Sequence, residues 1–156
     1  MIWKMKRLKH LYLPYRVRKS CNSARLRLDN LHDLEILYNL NPKTWSINPV
    51  ANMSNLRKLR IEFAENFEEL EVIFKPSSAI LSSLRSFSLF LISNDMEETQ
   101  VIQIFGCHLL EKLDLRGPIR KLPEPYRFPP NLTKLLLQFS KLHQDPMETL
   151  ERGCQT

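Results

Sequence analysis

Leu56-Arg57-Lys58-Leu59-Arg60-Ile61 decides how this chain is read. Its apolar residues stand at the first, fourth and sixth positions. The same L-x-x-L-x-L spacing returns at Leu8, Leu11, Leu13; Leu84, Phe87, Leu89; Leu110, Leu113, Leu115; and Leu132, Leu135, Leu137. A degraded copy stands at Leu34, Leu37, Asn39. The first leucines fall at 8, 34, 56, 84, 110 and 132, so the steps between blocks are 26, 22, 28, 26 and 22 residues. Within a block apolar and polar residues alternate, as on a strand that buries one face and wets the other. Lys58, Arg60 and Glu62 are therefore predicted to face water, and Leu59, Ile61 and Phe63 the core. One such strand cannot bury its leucines alone. About three or more stacked in a parallel sheet can.

This spacing, repeated every 20 to 29 residues or so, is the signature of leucine-rich repeats. The predicted fold is an α/β solenoid: a leucine-rich repeat horseshoe fragment with a parallel concave sheet and irregular convex loops and short helices. About six repeats are expected over residues 1–152, with strands near 8–13, 34–39, 56–61, 84–89, 110–115 and 132–137. Residues 153–156 form an aberrant tail. Asn39, polar where the other blocks are apolar, is expected to loosen the second repeat.

Between the blocks, Phe67, Leu70 and Phe74 have the spacing of a short amphipathic helix ending near Pro76. Asp95 with Glu98 three residues on suggests a helix cap, followed by a buried stripe of Val101, Ile102 and Phe105 and a helix end at Gly106. Asn41-Pro42 and Asn48-Pro49 mark turns, and no helix is expected between Leu40 and Ser54. Residues 116–130 hold five of the ten prolines and should be extended loop. Asp145-Pro146-Met147-Glu148 reads as the start of a last helix anchored by Leu150.

With 156 residues, 43% hydrophobic and 26% charged, the composition is that of one folded unit rather than a disordered tail. No apolar run is long enough to span a bilayer, and the first ten residues lack the apolar core of a secretory signal. A cytoplasmic location is expected. Cys21, Cys107 and Cys154 are odd in number and widely spaced, which suits packing or surface roles in a reducing compartment. The sequons at Asn52 and Asn131 are then coincidental, asparagine serving as a turn residue before a strand. The net charge of +6 is uneven: nine cations precede Asp29 with no acid among them, whereas Glu62, Glu65, Glu68, Glu69 and Glu71 crowd a later segment. Such a basic end offers a surface for phosphate or an acidic protein face, but it reads better as a solvated first repeat, because it lacks the paired aromatics and regular motif of a nucleic-acid module.

Assembled, these residues resemble the leucine-rich repeat region of plant disease resistance proteins of the coiled-coil, nucleotide-binding, leucine-rich repeat class. The matching stretches are Ile2-Trp3-Lys4-Met5 with Leu8-Lys9-His10-Leu11-Tyr12-Leu13-Pro14, Met53-Ser54-Asn55-Leu56-Arg57-Lys58-Leu59, Leu122-Pro123-Glu124, and Phe128-Pro129-Pro130-Asn131-Leu132-Thr133-Lys134-Leu135. The most specific is Ser140 and Leu142 followed by Asp145-Pro146-Met147 and Leu150-Glu151. The resemblance runs to about Arg152, where Gly153-Cys154-Gln155-Thr156 replaces the family's usual continuation. It implies the repeat part of an intracellular immune receptor, a part that restrains a nucleotide switch and recognises pathogen effectors or guarded host proteins. The sequence has three glycines and no G-x-x-x-x-G-K-[ST] loop, so no phosphate-loop nucleotide site is expected.

No catalytic constellation is visible. His10, His32, His108 and His143 are scattered among repeats, and Cys107-His108 lacks further ligands at metal spacing. No catalytic residue, cofactor or metal is expected. The candidate site is instead the concave face of the sheet: His10, Tyr12, Ile36, Tyr38, Lys58, Arg60, Glu62, Ser86, Ser88, Phe90, Lys112, Asp114, Arg116, Lys134, Leu136 and Gln138. Tyr12, Tyr38 and Phe90 are its expected anchors, since aromatics contribute large contact area when an interface buries them. The expected partner is a protein: a pathogen effector, a guarded host protein or the nucleotide-binding domain of a related receptor. Nucleic acid is not expected. Two other readings stand beside this one: a truncated remnant without independent activity, and a ubiquitin-ligase substrate adaptor, whose F-box motif is not found.

Overall fold

A computed structural model describes residues 4–15, 27–142, 145, 147 and 151. Six strands form one sheet: β1 (His10–Tyr12), β2 (Ile36–Leu40), β3 (Lys58–Ala64), β4 (Ser86–Leu91), β5 (Lys112–Arg116) and β6 (Lys134–Gln138). They lie side by side in chain order, every neighbouring pair parallel, and among the described residues no further strand pairs with the outer edge of β1 or β6.

Each strand begins two residues after the first leucine of its block. The reason is a turn placed before every strand. The first leucine donates its N–H to a carbonyl three residues back at Leu8, Leu34, Leu56, Leu110 and Leu132, and four back at Leu84. That turn tucks the leucine beneath the sheet, where Leu34, Leu56, Leu84 and Leu110 are fully buried. The residue just before each strand then repeats one contact. The carbonyls of Lys9, Glu35, Arg57, Arg85 and Glu111 each accept two N–H groups from the next block. The inward residues Leu37, Leu59, Ile61, Phe87, Leu89, Leu113 and Leu115 complete a continuous core.

Two bulges change which residues face inward. In β2, Asn39 takes a left-handed backbone (φ 62°), its side-chain amide donates to the Leu13 carbonyl at 3.0 Å, and the register slips by one. Leu40, fully buried and paired with Ile61, supplies the apolar residue that position 39 lacks. Asparagine tolerates this backbone better than branched or bulky residues do. The second block is therefore sealed by Leu40 rather than loosened by Asn39. In β3 the same device falls at Phe63 (φ 58°), so that Ala64 and not Phe63 takes the inward place beside Leu91. Gly117 follows β5 at φ 148°, where a Cβ would lie 2.8 Å from the Leu91 carbonyl oxygen.

The connections on the core side are short. A 3₁₀ turn over Glu68–Leu70 leads into α1 (Glu71–Phe74), with Phe67, Leu70, Ile73 and Phe74 buried. The longest helix among the described residues is α2 (Glu98–Phe105). Its cap is Glu97, whose N–H is received by the Gln100 side chain at 3.1 Å, and not Asp95. Asp95 is drawn away by Arg120, 25 residues further on, through a hydrogen bond of 2.5 Å. Val101, Ile104 and Phe105 form the buried stripe of α2, and Ile102 is only half-buried. Single 3₁₀ turns occupy two stretches read as loop, Asn48–Asn52 and Pro125–Arg127; each has proline in its first turn, where the missing N–H costs nothing. The predicted last helix and the residue 153–156 tail lie largely or wholly outside the described residues.

Candidate functional site

The face of the sheet opposite the core is built by strand alternation, except where the β3 bulge turns Phe63 onto it. Register places His10, Ile36, Lys58, Ser86, Lys112 and Lys134 in one row across all six strands. In the next row Tyr12 pairs with Tyr38, and Arg60, Ser88, Asp114 and Leu136 follow one another. Phe90, Arg116 and Gln138 make the last row. Fifteen of the sixteen residues singled out from sequence thus share these rows, and Glu62, next to the β3 bulge, is buried instead.

Charge on this face is partly neutralised. Arg60 Nε donates to Glu62 Oε1 at 2.5 Å, and Glu62 is buried at 5% exposure rather than open to solvent. Arg116 donates through Nε and Nη2 to the Asp114 carboxylate, with Nη2 to Oδ2 at 2.8 Å, and the Ser88 hydroxyl approaches the same oxygen at 3.3 Å. The hydrogen bond to Asp114 holds the Arg116 guanidinium above its ordinary range, helped by the charges of Asp114 and Glu62. Both carboxylates are therefore committed to arginines within the face. The first row differs, since Lys58, Lys112 and Lys134 are exposed and belong to none of the ion pairs among the described residues.

Aromatic rings gather toward the other ends of the strands. Tyr12 and Tyr38 meet edge to face at 5.2 Å, and Tyr12 is 60% exposed. Phe63, turned out of the core by its bulge, stands 5.5 Å from Phe90. Sequence alternation assigned Phe63 to the core because a one-residue insertion inverts every later position on a strand. Phe139, left-handed and 75% exposed just after β6, is another surface aromatic that the block pattern does not show.

Between the two regions lies a shallow dip of about 160 Å³, where the small Ser86 and Ser88 of β4 are flanked by Tyr38, Arg60, Lys112 and Leu136. On the core side a wider open groove of about 690 Å³ runs past Phe74 and Leu81 to Ile102 and His108. Cys107 is buried, in the turn before Leu110 where Leu31 and Met53 stand in earlier blocks, and burial pushes its thiol up to about 12. Cys21, Cys154 and His143 lie outside the described residues. Among the described residues no group of three or more His, Cys, Asp or Glu could hold a metal ion, and no helix is long and apolar enough to cross a membrane.

Comparison with known proteins places this face in context. The chain is 31% identical over 148 residues to the probable disease resistance protein RF9 of Arabidopsis thaliana, an alignment covering 95% of the chain and 14% of that protein. It is 31% identical over 158 residues to the disease resistance protein RPP8 and 33% identical over 153 residues to the probable disease resistance protein RXW24L, both from Arabidopsis thaliana. Each of these covers 95% of the chain and 16% of the relative. The resemblance carried by the leucine blocks thus holds along nearly the whole chain. The chain spans about one seventh of the length of these curated relatives. No family profile and no solved structure matches it.

Proposed function

We propose that this chain, whose relatives are plant disease resistance proteins, is a leucine-rich repeat segment acting as a non-catalytic protein-binding module in defence. The observation that carries the reading is the outward sheet face, with six strands in register and the rings of Tyr12, Tyr38, Phe63 and Phe90 exposed or half-buried on it. A partner that covers these rings removes apolar area from water, at roughly 25 cal/mol per Å² before the cost of association. The partner classes are a pathogen effector, a guarded host protein or the nucleotide-binding domain of a related receptor, met in the cytoplasm. The test is titration calorimetry of the purified chain against the nucleotide-binding domain of a related resistance protein. The expected result is binding that a Tyr12→Ala, Tyr38→Ala, Phe90→Ala variant weakens by roughly tenfold or more while its thermal melt holds. Binding unchanged by the triple substitution would remove this face from the interface.

A further inference from the structure

The charge on the sheet face is arranged with a contrast. Immediately before the strands two cations are matched to anions, Lys9 reaching Glu35 at 3.0 Å and Arg85 reaching Glu111 at 2.7 Å, while Arg57 belongs to none of the ion pairs among the described residues. In the second and third rows Arg60 and Arg116 hold Glu62 and Asp114. The first row leaves Lys58, Lys112 and Lys134 unmatched among the described residues. Lys112 and Lys134 are register partners on adjacent strands, a strand spacing of about 4.8 Å apart. Like charges directly opposite one another destabilise a sheet, so folding gains nothing from this pair. Lys58 stands on the far side of β4, about 10 Å from Lys112 by the same spacing. Between them is Ser86, half-buried at the floor of the dip and with no hydrogen bond from its hydroxyl among the described residues.

We infer that this row binds an acidic protein segment, its carboxylates seated over Ser86 between Lys58 and the Lys112–Lys134 pair. The inference rests on the reading of the sheet face as a protein-binding surface and adds the chemistry of what it takes. An extended peptide presents alternate side chains about 7 Å apart. Two carboxylates spaced in this way fit across a row whose cations are about 5 and 10 Å apart. Each carboxylate offers acceptors to both the ammonium groups and the serine hydroxyl. A nucleic acid fits less well, because Arg60 and Arg116, whose guanidinium forks suit phosphate, are engaged by Glu62 and Asp114.

Fluorescence anisotropy with a labelled peptide alternating Glu and Ala tests the inference, with a Gln and Ala peptide and a single-stranded RNA as the other probes. The expected result is salt-sensitive binding of the Glu peptide alone. It should weaken by roughly tenfold in Lys58→Gln, Lys112→Gln, Lys134→Gln and recover in the corresponding Lys→Arg variant. A control of equal charge change, Lys4→Gln, Lys6→Gln, Lys75→Gln, should shift affinity by less than about twofold. Equal losses in the two triples, equal binding of the Gln peptide, preference for RNA, or no binding of the Glu peptide each overturn the inference. A Tyr12→Ala, Phe90→Ala variant separates it from the broader reading. Loss of the nucleotide-binding domain in the aromatic variant but not in the lysine variant leaves the surface standing and the acidic segment refuted.

Discussion

Asn39 shows how one residue can repair a block that looks broken. Its left-handed backbone and its hydrogen bond to Leu13 allow Leu40 to reach the core. Restoring the apparent motif with Asn39→Leu should therefore destabilise the chain. The branched side chain meets the left-handed penalty of about 1–2 kcal/mol, and the amide bond to Leu13 is lost. Urea denaturation checks this, and a rise in stability would refute the role assigned to the bulge. Cys107 carries a second expectation. Its thiol is raised from 9.0 to about 12, so the folded state prefers the neutral form. The stabilisation is whole below the unfolded thiol's range and is lost as pH rises from about 9 toward 12, at roughly 1.4 kcal/mol per unit. Comparing the pH profiles of the parent and Cys107→Ala isolates this loss. At pH 8 the same thiol should resist iodoacetamide, in a chain lacking Cys21 and Cys154, until the protein unfolds.

Strands of identical pattern differ in what surrounds them. Leu113 of β5 is 1% exposed between two neighbouring strands, whereas Leu135, its register partner on β6, is only half-buried at the open edge. Leu113→Ala should cost about 2–5 kcal/mol, and Leu135→Ala well under half of that, because less surface returns to water and the edge can relax. Equal costs would show that β6 is covered as fully as β5. Helix α2 depends on a small detail: Gln100, not Glu98, receives the N–H of the capping residue. Helices of this kind take most of their stability from the buried stripe, here Val101, Ile104 and Phe105.

At the scale of the molecule every strand pairs only with its neighbours in sequence, so stability accumulates along a line. The middle strands gain support from both sides. Strand β1 has three residues, and among the described residues both it and β6 have one unpaired edge. Amide exchange should therefore be slowest in β3 and β4 and fastest in β1 and β6. Uniform protection across the sheet would mean that the blocks unfold as a single unit. The side of the sheet away from the core gains its potential for recognition from the same linear order, which sets every outward residue beside its counterparts at almost no cost in folding.

The recurrent leucines by themselves determined that there would be six strands, their order and their parallel direction. A hydrophobic spacing repeated in sequence can be buried only by stacking like on like. Fifteen of the sixteen expected outward positions followed from alternation, a local property of strands; Glu62 did not, and is buried. Where alternation breaks, only the tertiary structure decided. Neither the bulge that exchanges Asn39 for Leu40 nor the one that turns Phe63 outward is marked by glycine, and both depend on what the neighbouring strand offers. The burial of Glu62 beneath Arg60, and the capture of Asp95 by Arg120, likewise needed partners brought near by folding. Lys58, Lys112 and Lys134 were legible as outward positions from sequence, but that Arg60 and Arg116 are paired with Glu62 and Asp114 while these three lysines are not was decided by the fold. Register, which is long-range and cooperative, carried that information.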